Sequence, residues 1–142
     1  LERAPGGLKF YRHRDSWRVP TDFLVQLKFD GEPRRHNLPL LNISAGGIMV
    51  RTDLPLEFGS SVLLTLELPG EPAVSTRGRV VHIQEAPGGL SGRARLVGIK
   101  FQNVEANARR AVTRYVWKRI RELFPEQLKE LYPRGRDAFV NR

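Results

Sequence analysis

The sequence predicts an all-β protein, a six-stranded antiparallel barrel followed by a C-terminal amphipathic helix. Three observations support this fold class. The chain has 142 residues, 40% hydrophobic and 27% charged, which suits one globular domain and excludes wholesale disorder. Short apolar runs between residues 19 and 101 are separated by turns rich in Gly and Pro. After Phe101 the apolar period changes from two to about 3.6 residues.

The predicted strands alternate apolar and polar residues, as expected when one face of a sheet is buried. Every second residue is apolar from Phe23 to Phe29 and again from Val62 to Leu68, and Val81 and Ile83 alternate with polar neighbours in the same way. No helical pattern separates the runs, which favours an antiparallel barrel or sandwich over a parallel sheet. The expected strands are Phe23–Phe29, Leu38–Leu41, Gly47–Thr52, Ser61–Leu68, Val74–Gln84 and Arg93–Phe101.

The predicted helix runs from about Val104 to Phe124. Asn103 is the expected N-cap, and Pro125 is expected to end the helix. Its apolar stripe is wider than the end of a small barrel requires. We therefore expect the near half to pack on the barrel and Tyr115–Phe124 to contribute to a homodimer or a partner surface, with packing on the chain's own barrel as the alternative. A second short helical turn is predicted over Glu126–Tyr132.

The domain organisation follows from these elements. Residues 1–11 contain Pro5, Gly6 and Gly7 with no apolar period, and we interpret them as a flexible lead-in or linker. Residues 12–103 form the predicted barrel, 104–132 the C-terminal helical segment and 133–142 a basic tail. Position 1 is not Met, so the sequence leaves open whether the chain is part of a longer protein with a further N-terminal domain.

Several function classes are not expected from this sequence. It contains no Walker A sequence, no Gly-x-Ser-x-Gly elbow and no paired carboxylates with catalytic spacing, so an enzyme is not predicted. It has no cysteine, and its histidines lie far apart, so neither a metal site nor a resident cofactor is expected. No apolar run approaches the roughly 20 residues of a membrane span.

The charge balance predicts an anionic partner. The chain has 24 Lys and Arg against 15 Asp and Glu, a formal net charge of +9. Nucleic acid, a nucleotide, an acidic lipid headgroup and an acidic protein all fit this charge. A nucleic-acid-binding barrel would line one groove with aromatic residues, whereas Phe23 and Phe29 are predicted to face the core. Nucleic acid is therefore the weaker expectation.

Two polar segments stand out from the strand pattern. An arginine-rich stretch, Tyr11–Val19, precedes the first strand, and Asn42–Gly47 lies between the second and third strands. The pattern Arg14-x-x-x-Arg18, followed by Asn42-x-Ser44-x-x-Gly47 in a β meander, closely resembles the PilZ domain, the bacterial receptor module for cyclic di-GMP. The segment Val97–Phe101 is similar to the closing strand of that family, and the trailing helix is also a family feature. The resemblance covers about residues 12–124.

The resemblance implies a cyclic di-GMP site. It assigns ligand binding to Arg14, Arg18, Asn42, Ser44 and Gly47, and in the family the residue before the arginine motif influences whether one ligand molecule or an intercalated dimer binds. Guanidinium groups suit this ligand because they form bidentate hydrogen bonds with phosphates and guanine edges and stack on purines. Arg12, His13, Trp17, Arg93 and Arg95 are candidates for additional contacts. Arg93 and Arg95 are candidates because of their charge, and a solvated strand face is the alternative for both.

Structural interpretations of the same residues stay open. Arg14 and Arg18 are alternatively a solvated basic segment, Asn42 and Ser44 turn formers, and Trp17 a packing residue. The resemblance implies a cytoplasmic bacterial protein, or a cytoplasmic domain of a larger one, that acts in second-messenger signalling. Its expected output is control of motility or of exopolysaccharide production and biofilm formation, through a protein partner or a neighbouring domain. The remaining alternative is a PilZ-like adaptor that binds no nucleotide.

Overall fold

A computed structural model describes residues 17–85 and 94–126, together with two short strands before them. These short strands, β1 (Glu2–Arg3) and β2 (Lys9–Phe10), pair antiparallel and were not predicted from the sequence. The remaining strands are β3 (Val19–Pro20), β4 (Leu24–Phe29), β5 (Arg35–Ser44), β6 (Gly47–Thr52), β7 (Ser61–Leu66), β8 (Val74–Glu85) and β9 (Arg95–Gln102). The helix α1 spans Ala106–Leu123.

Six antiparallel strands close into a barrel. The order around the sheet is β5-β4-β7-β8-β9-β6, and β6 pairs with β5 to complete the circle. The short strand β3 is added to β5 beside β4, where Val19 pairs with Ile43 and Pro20 with Asn42. The predicted six-stranded barrel with a C-terminal helix is therefore confirmed, with β3 as an extra strand.

The barrel core follows the predicted alternation. Val25 and Leu27 on β4 and Val62, Leu64 and Leu66 on β7 are fully buried. Neighbouring residues on these strands are partly or fully exposed. Because the side-chain period of a strand is two, this pattern sets one face of each strand toward the core.

Two local predictions are wrong. Val81 is 41% exposed, because a bulge between Val80 and His82 interrupts the β8–β9 register and turns the following residues over. Asn103 does not cap the helix: it has φ of 51°, in the left-handed region that Asn tolerates. The residue at the N-cap position is Glu105, which makes no side-chain capping bond. The helix does end before Pro125, as predicted.

The helix packs on its own barrel along its whole length. Val112, Tyr115, Val116, Ile120 and Phe124 are each at most 4% exposed. Within Tyr115–Phe124, Leu123 is 39% exposed and the other apolar side chains are buried, which favours packing on the chain's own barrel. A homodimer or partner surface at this end of α1 stays a prediction. The apolar stripe of α1 is wide because the helix contacts three strands, β3, β5 and β8. In the described part of the chain, no helix combines the length and apolar character required to cross a bilayer.

Contacts at the two sides of α1 fix its position. Arg114 binds Glu71 in the β7–β8 turn, with 2.7 Å between Nη2 and Oε1. On the other side, the ring of Tyr115 meets that of Phe23 edge to face at 5.7 Å. The predicted second helical turn begins at Pro125 and Glu126, which are helical, and its remainder lies outside the described residues.

Candidate ligand-binding site

Arg18 and Asn42 lie together at the junction of β3 and β5. Arg18 directly precedes β3, and the pairing of Pro20 with Asn42 brings this segment alongside β5. The Nη1 atom of Arg18 donates a hydrogen bond to Oδ1 of Asn42 over 3.1 Å, and both side chains are half-buried. The structure thus joins two residues that are 24 positions apart and that the sequence assigned to one site.

A β-bulge at Leu41 sets the orientation of Asn42. Leu40 pairs with Val50 and Asn42 with Met49, so one residue of β5 is left over between them. The bulge is held from the β3 side, where Thr21 donates through its hydroxyl to the Leu40 carbonyl at 2.6 Å and through its amide to that of Leu41 at 3.1 Å. Bulges redirect side chains in this way, so that Asn42 faces Arg18.

Ser44 is engaged in the β5–β6 turn. The residue is 3% exposed, and its Oγ accepts a hydrogen bond from the Gly46 amide at 3.2 Å. The same hydroxyl donates to the Gly47 carbonyl at 3.5 Å. This is the turn-forming role that short hydroxyl side chains often have. A ligand would therefore meet a turn whose shape Ser44 already fixes.

Gly47 is required by the neighbouring strand. A Cβ at this position would overlap the carbonyl oxygen of Ile99 and lie 3.1 Å from Cα of Lys100, both on β9. The Phe101 amide also bonds the Gly46 carbonyl at 2.9 Å. The backbones of Gly47 and β9 therefore approach closely within the barrel wall, and this contact anchors the β5–β6 turn to β9.

Trp17 packs against the helix. It is 4% exposed, and its ring centroid lies 5.2 Å from that of Trp117 at an interplanar angle of 49°. In this arrangement its faces are covered, so Trp17 is not available to stack on a base. Trp17, which directly precedes Arg18, is instead packed on Trp117 of α1.

Arg95 lies away from the β5–β6 turn. It pairs with Thr52 at the far end of the β6–β9 ladder from Gly47, about 17 Å along the strand at roughly 3.4 Å per residue. Its Nη2 donates to the carbonyls of Leu54 and Leu56, at 2.6 and 3.0 Å. The other predicted contact residues, Arg12, His13, Arg14 and Arg93, lie outside the described residues.

Two basic residues outside the predicted site, Lys100 and Arg79, lie beside the β5–β6 turn. In the strand register Ser44 pairs with Gly47, Gly47 with Lys100, and Lys100 with Arg79. These four residues form one transverse row across β5, β6, β9 and β8. Lys100 and Arg79 are exposed on the outer face of the barrel. Only the register reveals this row, because strand pairing brings together residues that are distant in the sequence.

Comparison with known proteins identifies the class that this fold and site define. The PilZ domain family matches residues 12–117, and the chain belongs to that family. Comparison with curated proteins finds no match.

Solved structures share the fold. The chain is similar to the Bacillus subtilis inhibitor of motility MotI, with 26% identity and a TM-score of 0.60, over 72% of this chain and 48% of that one. It is also similar to the PilZ domain of Escherichia coli YcgR with c-di-GMP, with 14% identity and a TM-score of 0.61, over 79% and 94% of the two chains. The K. pneumonia MrkH–c-di-GMP complex matches with 17% identity and a TM-score of 0.61, over 80% and 54%. The chain thus spans about half the length of MotI and MrkH.

Proposed function

We propose that this protein is a receptor for cyclic di-GMP, a binding module and not an enzyme. The observation that carries the proposal is the 3.1 Å hydrogen bond between Arg18 and Asn42, which unites the arginine-rich segment with the polar turn. Membership of the PilZ family supports the assignment, and the similar structures of YcgR and MrkH contain c-di-GMP.

The chemistry of the pair fits this ligand. The Arg18 guanidinium has five N–H donors, and one contact with Asn42 leaves donors for a phosphate or for O6 and N7 of guanine. In the proposed complex the ligand bridges Arg14 and Arg18 on one side and Asn42–Gly47, the segment around the β5–β6 turn, on the other. Asn42 supplies both a donor and an acceptor.

The same segment offers a route to an output. Because Trp17 packs on Trp117, a ligand that binds Arg18 acts on a segment that is attached to α1. We propose that a neighbouring domain or a protein partner reads this change, since a ligand shifts an equilibrium only when its affinity differs between two states. The resulting output is control of motility or of exopolysaccharide production. The similarity to MotI, an inhibitor of motility, supports the first. We assign the receptor to the cytoplasm, or to a cytoplasmic domain of a larger protein.

Titration calorimetry tests the proposal. Cyclic di-GMP should bind the full chain, and Arg14→Ala and Arg18→Ala should each abolish measurable binding. Arg18→Lys should also weaken it strongly, because an ammonium group keeps the charge and loses the bidentate geometry. Arg51→Ala is the matched control, since Arg51 is an exposed arginine near the far end of β6.

Two results would overturn the assignment. One is unchanged affinity in both arginine variants. The other is salt-dependent binding of generic DNA or RNA with no preference for cyclic di-GMP, which would support a nucleic-acid-binding barrel instead.

A further inference from the structure

Arg79 and Lys100 are cations placed side by side on the outer face of the barrel. They are direct cross-strand partners on β8 and β9, and both are exposed. Like charges directly opposite each other in a sheet repel and destabilise the pairing. Within residues 17–85 and 94–126, neither side chain makes a hydrogen bond or an ion pair.

A neighbouring arginine shows the contrast. Arg77, two residues earlier on β8 and on the same face, binds Asp30 with 2.8 Å between Nη1 and Oδ1. The barrel therefore neutralises one basic residue of this face with its own carboxylate, whereas in the described part of the chain the adjacent pair has no counter-charge. A bound anion would remove this repulsion.

The pair lies in line with the candidate site. The transverse row runs from Ser44 through Gly47 to Lys100 and Arg79, one strand at a time. At about 4.8 Å between strands, Lys100 is about 10 Å and Arg79 about 14 Å from Ser44. Gly47 carries no side chain, so no side chain lies between Ser44 and Lys100 in the row.

We propose that Lys100 and Arg79 form a second anion subsite, which binds a phosphodiester group about 10 to 14 Å from the Ser44 end of the row. This inference rests on the proposed function, because the first phosphodiester is the one held near Arg18 and Asn42. The second group comes either from the other phosphate of the same cyclic dinucleotide or from a second ligand molecule. In both cases Arg79 supplies the bidentate geometry that suits phosphate, and Lys100 supplies a point charge.

The test combines charge-removing variants with stoichiometry. In calorimetric titrations with cyclic di-GMP, Lys100→Gln and Arg79→Gln should each weaken binding about tenfold, the effect expected for one exposed charge-assisted contact. The matched control is Arg51→Gln, which removes the same charge from the outer face several residues along β6. It should leave the affinity nearly unchanged. Neither Lys100→Gln nor Arg79→Gln should lower Tm, because each substitution removes the repulsion between the two cations.

The outcomes separate the two proposals. If the wild-type chain binds cyclic di-GMP and the two row variants bind equally well, the second subsite is overturned and the receptor function stands. The subsite is also overturned if Arg51→Gln weakens binding as much, because the effect is then general electrostatics. If the wild-type chain binds no cyclic di-GMP, the receptor function fails and the subsite with it. Unchanged stoichiometry in a weakened variant indicates the second phosphate of one ligand, and a drop from two to one indicates a second molecule.

Discussion

The rings of Trp17 and Trp117 pack together at 5.2 Å and join the arginine-bearing segment to the C-terminal helix. Trp17 immediately precedes Arg18, and Trp117 lies two residues beyond Tyr115 on the buried side of α1. The candidate ligand residue Arg18 is therefore linked to α1 through one packing contact, between Trp17 and Trp117.

Removing Trp117 should affect both stability and ligand binding. Trp117→Ala should cost about 3–5 kcal/mol, as is usual when a buried tryptophan is truncated. It should also weaken cyclic di-GMP binding, because Trp17 loses part of the surface that positions Arg18. Urea unfolding and calorimetry measure the two effects. Trp117→Phe keeps an aromatic ring and serves as the milder control. Unchanged affinity in both variants would argue against coupling through this contact.

Gly47 and Gly46 should respond differently to alanine. Gly47→Ala places a methyl group against the Ile99 carbonyl and should destabilise the barrel by about 1–3 kcal/mol, the usual cost of overpacking. At Gly46 the nearest heavy atom to an added Cβ is Ser44 Oγ at 3.9 Å, so Gly46→Ala should be nearly neutral. The urea midpoints of the two variants provide the comparison. Equal midpoints would contradict the close approach to β9.

Arg95 should contribute to stability and not to ligand affinity. Arg95→Gln removes hydrogen bonds to the carbonyls of Leu54 and Leu56 and should cost about 1–3 kcal/mol, because half-buried acceptors lose their donors. Its distance from Gly47 predicts unchanged binding of cyclic di-GMP. If Arg95→Gln remains folded but clearly loses affinity for cyclic di-GMP, Arg95 contacts the ligand, as expected from the sequence.

Tyr115 should make the protein less stable at high pH. Burial raises its pKa above the ordinary value of 10.0, and the positive charge of Arg119 opposes this only in part. The folded state disfavours the phenolate, so the contribution of neutral Tyr115 to the free energy of unfolding is complete below about pH 10. This contribution is lost as pH rises through the higher pKa of Tyr115 in the folded state. Tyr115→Phe cannot ionise and should lose less stability over the same range. Thermal unfolding of both proteins between about pH 8 and 11 tests this sign, and parallel curves would contradict it.

Much of the fold could be predicted from short apolar runs between turns and from the alternation within some of them. These patterns placed all six barrel strands, and the bounds of β6 agree to the residue. The strand β3 could not be predicted, because two residues are too few for a period to show. The exposure of Val81 was not predicted because it depends on the bulge in β8. The left-handed conformation of Asn103 was not predicted because it depends on how the chain connects β9 to α1.

The candidate site was predictable only in part. The resemblance to the PilZ domain assigned Arg18 and Asn42 to one site, and the structure joins them. The roles of Ser44 and Gly47 within the turn depend on contacts across strands, which a linear pattern does not contain. Arg95 looked like a ligand contact because of its charge, but the partners of its guanidinium are backbone carbonyls 41 and 39 positions away.

The short strand β3 lies outside the closed barrel. Releasing β3 and unfolding the barrel therefore cost different amounts of free energy. Opening the barrel means unfolding the domain, which typically costs about 5–15 kcal/mol. Releasing β3 breaks a ladder of two residue pairs and exposes the buried side chains of Trp17 and Val19. A ligand present at about a hundred times its Kd contributes about 2.7 kcal/mol. This amount is a larger share of the free energy that docks β3 than of the free energy that closes the barrel, so a ligand bound at Arg18 would act first on the β3 segment.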